Sequence, residues 1–563
     1  METSAAHSAL PEHRRFSGGP EGKVTLAFVA AGLVALFVGF LLGPPQALNY
    51  AGIDIYDWLP LSSYYQGLTI HGVLMALVFT SFFIGALMVY LPARELGVRP
   101  HMAAVWGAFW VMVLGTLMAG GAMVADTSNV LYTLYPPMQG HWTFYLGLAL
   151  VVVGTLIMAA LVIEMRLQWK RVHPGAPTPL VTYMSVVTWI MWAVASLGLV
   201  VGVVFLLLPW SLGWIEGVDP ALFRTLFWFT GHPIVYFWLL PAYIIWYAMI
   251  PRQGGGKLIS DPMARLVFLL FLLFSIPVGF HHQYADPSIP VAWKLVHNVT
   301  TMFVAIPSLI TAFTVAASLE NAGRARGGGG WFGWIRALPW RDAGFTAPVL
   351  AMVTFIFGGA GGIILATFSL NLVVHNTAFV PGHFHITVGT AVTMTFMGVT
   401  FWLLPHLTGR PLRAAGSALA SVWLWFVGMM LFAIGMHWQG LHGVPRRSFI
   451  AAMSEEGVYA DAALPAVFTG IGGVVLLVAG LLFFWSVIRT LLGARGGEVP
   501  EVRFSETLSG PLDRSGRVKS SVALMDRLGW WTLLAVALIV IAYVPTIAQQ
   551  VIDWQGIPGM QLW

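Results

Sequence analysis

The chain has 563 residues, 58% of them hydrophobic and only 9% charged, with a mean hydropathy of +0.80. A soluble protein carries roughly a quarter charged residues, so an ordinary soluble domain is excluded, and the net charge of +5 sits in loop arginines that suggest no nucleic-acid partner. Cysteine is absent, which excludes disulfides, thiolate metal sites and iron–sulfur clusters within this chain.

Apolar runs long enough to cross a bilayer recur along nearly the whole sequence. In chain order they cover roughly 23–44, 64–93, 101–124, 141–165, 180–208, 219–250, 262–281, 295–319, 345–369, 377–405, 415–438, 463–488 and 528–548. They predict an all-α polytopic membrane protein of about 13 transmembrane helices, folded as a single transmembrane helical domain over 1–563. A polar N-terminal segment, 1–22, precedes a first run too long for the apolar part of a secretory signal. The loop "GRARGGGGWFGWIR" and the segment 490–526, which contains "GARGGEVPEVRFSETLSGPLDRSGRVK", read as cytoplasmic linkers, the second placed before the last helix.

Thirteen crossings put successive loops on opposite sides. Of the 28 Lys and Arg, 24 then lie on the N-terminal side, among them Arg166, Lys170, Arg171 and the groups Arg324 to Arg341 and Arg489 to Arg527. Arg224, Lys294, Arg446 and Arg447 are left for the other side. The positive-inside rule places the N-terminus in the cytoplasm and the C-terminus outside.

Six of the sixteen histidines share one depth. His71 lies in "YYQGLTIHGVLM" near the outer start of the second run, and His232 in the outer half of the sixth, within "TGHPIVYFW". His281 and His282, in "PVGFHHQYADP", close the seventh; His383 and His385, in "VPGHFHIT", lie near the outer start of the tenth. At 1.5 Å per residue, all fall within roughly 20 Å of the outer surface, where ionisable groups are costly and are functional by default. One such histidine is more often hydrogen-bonded core than ligand, but six from four helices at one level point to metal ligation.

Helix geometry sorts them. His383 and His385 are about 200° apart around a helix, so they serve different metals and the tenth helix stands between two cofactors. His281 and His282, adjacent at a helix end, join His232 in a three-imidazole set that leaves a position open for substrate. Imidazole suits copper, iron or zinc. His71 and His385 could be the two axial ligands of one haem, leaving His383 as the single proximal ligand of a second.

The motifs "WFTGHPIVY", "HH" some fifty residues on and "HNTAFVPGHFH" about a hundred further resemble those of the haem–copper oxygen reductases, the subunit I family of terminal respiratory oxidases. The resemblance covers almost all the spans. It implies that His71 and His385 ligate a low-spin haem, that His383 ligates a high-spin haem, and that His232, His281 and His282 hold one copper ion. The low-spin haem would be b-type and the high-spin haem a- or o-type. Tyr236, four residues after His232 and on the same helix face, is then the catalytic tyrosine at the site of oxygen reduction, commonly cross-linked in this family to the copper-ligand histidine. Arg446 and Arg447, in "GVPRR", match the family's haem-propionate arginines.

Departures from the larger A family narrow the resemblance. Ile234 stands at the position of a glutamate that ends one proton channel, and Thr311 at the position of a lysine. With thirteen spans, the chain resembles the B family, the ba3-type cytochrome c oxidases. Asn371 and Asn376 stand where many relatives have aspartates, which argues against a magnesium site and leaves His375 to hydrogen-bond a propionate.

Tyr236, Tyr243 and Tyr247 follow one another at spacings of seven and four, a stripe running from the histidines toward the cytoplasm. Ser308, Thr311 and Thr314 form a second polar track on the eighth run, and Ser260 sits near the inner mouth. Serine and threonine in such helices often bond back to their own backbone, and tyrosines also serve as interface anchors. Convergence on Tyr236 favours a proton path, which in the B family corresponds to the single K-type channel.

The resemblance thus implies a proton-pumping terminal oxidase in the cell membrane of a prokaryote, reducing O2 to water with electrons from cytochrome c. A subunit II would carry the dinuclear copper entry centre that this cysteine-free chain cannot hold. A nitric oxide reductase of the same superfamily would lack the tyrosine and add glutamates, against Tyr236 and Ile234. A quinol oxidase differs mainly in its donor, and a proton-coupled transporter with buried histidines would carry no haem bands.

Overall fold

The computed structural model describes residues 19–451 and 457–561; most of the expected polar segment 1–22 lies outside them. Among the described residues the chain is a helical bundle, with only two three-residue strands. Twelve helices are long and apolar enough to cross a membrane. We label them, with one shorter helix, in chain order. They are α1 Pro20–Tyr50, α2 Tyr64–Leu96, α3 Met102–Val124, α4 Trp142–Val172, α5 Leu180–Ser211 and α6 Pro220–Gln253. Then follow the short α7 Asp261–Phe274, α8 Val291–Ala325, α9 Ala343–Ala366, α10 Phe379–Thr408, α11 Ala415–Leu441, α12 Ala463–Leu492 and α13 Leu528–Ile552.

The seventh expected span is therefore corrected: its α-helix has 14 residues, short of a membrane crossing, and non-α backbone continues it to Gln283. The segment still runs from one face of the bundle to the other. At its start Arg265 donates to Thr178 O, and Thr178 in turn donates to Asp526. At its far end Asp286 pairs with Arg224 at 2.7 Å, and Ser288 accepts from Gln550 at the end of α13. The C-terminal tail lies on that second face, where Val218 exchanges backbone hydrogen bonds with Ile557 and Gln139 N donates to Met560 O. Glu21 and Arg99 pair on the first face, so the chain enters on one face and leaves on the other.

Local chemistry starts the helices where the sequence allows. Pro20 and Pro220 occupy the first turn, where the missing N–H costs nothing. Ser63, Asp219 and Asp342 each accept a backbone N–H as N-caps. In lipid the helices gain little from hydrophobicity against one another, so packing and interhelical hydrogen bonds hold the bundle. Trp192 donates to Thr155 at 2.8 Å, Trp246 to Thr395 at 3.0 Å and Trp425 to Gly389 O at 2.8 Å. Three helices carry π turns, Leu74–Phe79 in α2, Gly202–Leu207 in α5 and His385–Val392 in α10; such turns shift the face downstream of them and gather at functional sites.

The segment 490–526, expected as a linker, is built against the bundle. Strand β1, Leu258–Ser260, pairs in parallel with β2, Thr507–Ser509, and Ser505 N donates to Ala248 O. A short helix, Ser520–Met525, follows, and Asp526 is held by Arg166, Lys170 and Thr178.

Candidate metal and proton-transfer site

Three imidazoles meet in one cluster. The ligand-capable nitrogens of His232, His281 and His282 all lie within 4.8 Å of one another. His232 reaches the cluster from a break in α6. Pro233 has no N–H and cannot continue the helix ladder, and backbone bonding changes from His232 N→Trp228 O to Val235 N→His232 O. His281 and His282 sit in the 3-10 turn Gly279–Gln283 that continues α7, which lets adjacent residues face the same point.

The nitrogens are sorted by their other partners. His281 Nδ1 hydrogen-bonds Val278 O at 2.6 Å and Thr301 Oγ1 at 3.1 Å, which leaves its Nε2 for a metal. His232 Nδ1 and His282 Nε2 stand 3.2 Å apart. That separation suits two nitrogens each about 2.0 Å from one ion. Three convergent imidazole nitrogens fit copper, iron or zinc.

Tyr236 lies beside this cluster, its ring centroid 5.1 Å from that of His232 at an interplanar angle of 70°. His232 Nε2 is buried with no hydrogen-bond partner.

Neighbours that the sequence did not single out hold the turn. Trp228 stacks on His282 with centroids 3.8 Å apart and planes within 6°; only its position four residues before His232 signalled it. Phe280 N donates to His297 Nδ1 at 3.1 Å, and His297 stacks on Phe280. Tyr543, from α13, accepts from Gly279 N at 2.9 Å and donates to Ile276 O at 3.1 Å. A Cβ on Gly279 would come within 2.3 Å of Tyr543 Oη and 2.5 Å of Trp228 O, so only glycine fits there. The Tyr543→Phe variant is expected to lower affinity for the metal at the three histidines by about tenfold, because groups that orient metal ligands contribute on that scale. Metal titration of the depleted protein measures it.

His71 and His385 face each other across a second space, with ring centroids 6.3 Å apart and planes within 9° of parallel. Their Nδ1 atoms bond Gly39 O at 2.8 Å and Pro381 O at 2.7 Å, so both Nε2 atoms are free. A metal ion held between the two free nitrogens, at about 2.0 Å from each, would account for this ring spacing. A cavity lies between them, walled by Met75, Val388, Gly389, Phe432 and Met436, with Arg446 and Arg447 also lining it. A large apolar planar group with acidic substituents fits such a space.

The arginines carry the test of that fit. Arg447 donates from Nη1 to Thr133 and lies over the Tyr132 ring, while its Nε and Nη2 are buried without partners. Arg446 Nε donates to Asn376 Oδ1 at 3.0 Å. Buried guanidinium donors call for carboxylate acceptors, as haem propionates would be. His375, in the loop beside them, bonds Asn371 Oδ1 at 3.2 Å; burial, then the charges of Arg446 and Arg224, push it down to about 4, so it is a neutral imidazole.

His383 is not among the residues of that cavity, although Phe384 and His385 are. It lies against α9, where a Cβ on Gly361 would stand 3.2 Å from its Nδ1 and one on Gly362 3.2 Å from its Cε1. Helix α10 thus presents His385 to the cavity and His383 to α9.

The two polar tracks are joined. Tyr243 donates to Ser308 at 3.4 Å and Tyr247 to Thr311 at 2.9 Å. Thr314 O accepts from Ser318, and Ser318 Oγ accepts from Ile259 N, which brings the track to β1. Ser318 was not expected. Ser260 is on β1 and its Oγ caps α7 by accepting from Met263 N.

Residues 23–475 match the family described as cytochrome c and quinol oxidase polypeptide I. The chain is 55% identical over 560 residues to cytochrome c oxidase subunit 1 of Thermus thermophilus, covering 98% of each. It is 28% identical over 465 residues to the alternative cytochrome c oxidase subunit 1 of Bradyrhizobium diazoefficiens, covering 76% of this chain and 74% of that one. In three dimensions it resembles a chain from the cryo-electron microscopy structure of a haem–copper terminal oxidase dimer, with a TM-score of 0.90 and 36% identity over 97% of this chain and 95% of that one.

Proposed function

This chain belongs to the cytochrome c and quinol oxidase polypeptide I family, and from that premise we propose how its residues divide the work. It is the catalytic subunit of a terminal oxidase, a multi-pass membrane protein with cytochrome c oxidase activity. Haems, copper, a subunit II and a donor that is cytochrome c or a quinol go with that membership.

In our reading His232, through Nδ1, and His281 and His282, through Nε2, hold one copper ion. His71 and His385 hold a b-type low-spin haem; His383 holds a high-spin haem of the a- or o-type. Arg446, Arg447 and His375 receive haem propionates. When bound, these groups supply the redox chemistry by which O2 is reduced to water. The chain contributes ligands, a dry site and protons. The convergence of three imidazoles, two of them buried, on one point beside Tyr236 carries this reading. A reduced-minus-oxidised spectrum with metal analysis tests it. Two haems and one copper per chain are expected; non-haem iron in place of copper would sink it.

Tyr236 holds a proton at its hydroxyl next to the copper histidines. Tyr243, Ser308, Tyr247, Thr311, Thr314 and Ser260 form the path that renews it from the basic face. Proton pumping draws on the same path. The hydrogen bonds between α6 and α8 support this. Replacing Thr311 with valine keeps the shape but removes the hydroxyl that Tyr247 donates to. Turnover is expected to fall several-fold with both haem spectra unchanged; steady-state oxygen consumption checks it.

The concentration of Lys and Arg on the N-terminal face supports an N-terminus in the cytoplasm and a C-terminus outside. One continuous hydrophobic core supports a single domain. The two relatives named above are bacterial, which supports the cell membrane of a prokaryote. Cytochrome c is our choice of donor, and the lack of cysteine in this chain supports a subunit II that carries a dinuclear copper centre.

A further inference from the structure

On the outer wall of the bundle, near its basic face, a groove opens between α4, α5 and the start of α13. Ile163, Val186 and Ile190 line it from α4 and α5, with Leu533 from α13. Arg166, Arg527 and Trp530 stand at its mouth. Ile190 is ten residues into α5, about 15 Å along the helix from the basic face. The groove therefore starts at the level of lipid headgroups and deepens among acyl chains.

Its chemistry is lopsided in charge. Asp526 is the one acidic residue lining it, and that carboxylate is already held by Arg166 at 3.3 Å, by Lys170 and by Thr178. Arg527 is exposed and makes no ion pair among the described residues. Beside it the first N–H groups of the 25-residue helix α13 have no intrahelical acceptor and carry the positive end of its dipole. Trp530 is 71% exposed and Leu533 62%; an exposed indole at this level suits the membrane interface.

We propose that this groove binds one anionic phospholipid. Its phosphate sits between Arg527 and the start of α13, flanked by Arg166, and one acyl chain runs along Ile163, Ile190 and Leu533. Charge complementarity at the mouth and apolar walls below it fit an acidic headgroup with its chain. A neutral lipid or a second transmembrane helix would leave the Arg527 charge without a counterpart.

The test uses the complete oxidase complex in nanodiscs of phosphatidylcholine and phosphatidylglycerol, released into detergent and read by native mass spectrometry. The wild type is expected to retain one phosphatidylglycerol in preference to phosphatidylcholine. R527Q should lower that preference about fivefold with turnover and haem spectrum unchanged. L533W, which fills the groove and keeps its charges, should lose the retained lipid altogether. Equal retention of the two lipids, or a preference unaltered in both variants, would overturn the proposal. So would a photo-crosslinker at position 530 that captures a polypeptide instead of lipid. If R527Q does not assemble, L533W and the crosslinker still decide.

Discussion

Tyr236→Phe is expected to reduce oxygen consumption by at least about a hundredfold, the lower range for loss of a positioned proton-transfer group, while both haems stay bound. The substitution removes one oxygen atom. The ring remains to pack against Phe271, 5.2 Å away between centroids, and against His232. No hydrogen bond that fixes the three clustered histidines runs through the phenol, since His281 is oriented by Val278 and Thr301 and His282 by the Trp228 stack. Structure and metal content should therefore survive while the proton nearest the cluster is lost. Oxygen-electrode rates beside a reduced-minus-oxidised spectrum measure both. Normal turnover in a fully loaded variant would refute the role of Tyr236.

Replacing His281 with alanine strikes the site differently. The cluster has three imidazoles from two segments, and two remaining nitrogens 3.2 Å apart are a weak site for a metal. Copper is expected to fall to background, and turnover with it, while the spectrum of the haem held by His71 and His385 is kept. His71 and His385 come from α2 and α10, and neither belongs to the turn Gly279–Gln283. Metal analysis of the purified complex gives the answer; copper retained at wild-type level would remove His281 from the ligand set. The pair of variants separates holding the metal from supplying the proton.

The sequence singles out the six histidines and Tyr236 because each signal is local. Ionisable side chains in apolar runs stand out against their neighbours, and spacings of two and four fix relative directions on a helix. The same locality explains what was not legible. The 14-residue α7 reads as part of a full apolar run, because Ile276, Val278 and Phe280 carry the apolar character past Phe274. The π turn that begins at His385 has no compositional mark. The 200° argument applies to His383 and His385 because His385 is only the first residue of that turn; below it the angular count no longer holds. Tyr543 lies 264 residues from Gly279, and nothing in "IAYVPT" announces that its hydroxyl orients a turn in another helix. The parallel pairing of β1 and β2 joins segments nearly 250 residues apart across a stretch that composition alone marks as linker. Long-range partners of this kind are set by tertiary packing, not by period or propensity.

The buttress from α13 has a consequence for the order of biogenesis. The turn that presents His281 and His282 hangs on Tyr543 through Gly279 and Ile276, and on Ala542 O through His297. A nascent chain whose first twelve helical segments have already emerged still lacks these anchors. Copper delivered during synthesis would meet an unformed turn, so loading belongs after the final helix has been inserted. A chaperone that donates the ion would then recognise a finished bundle and not a growing one.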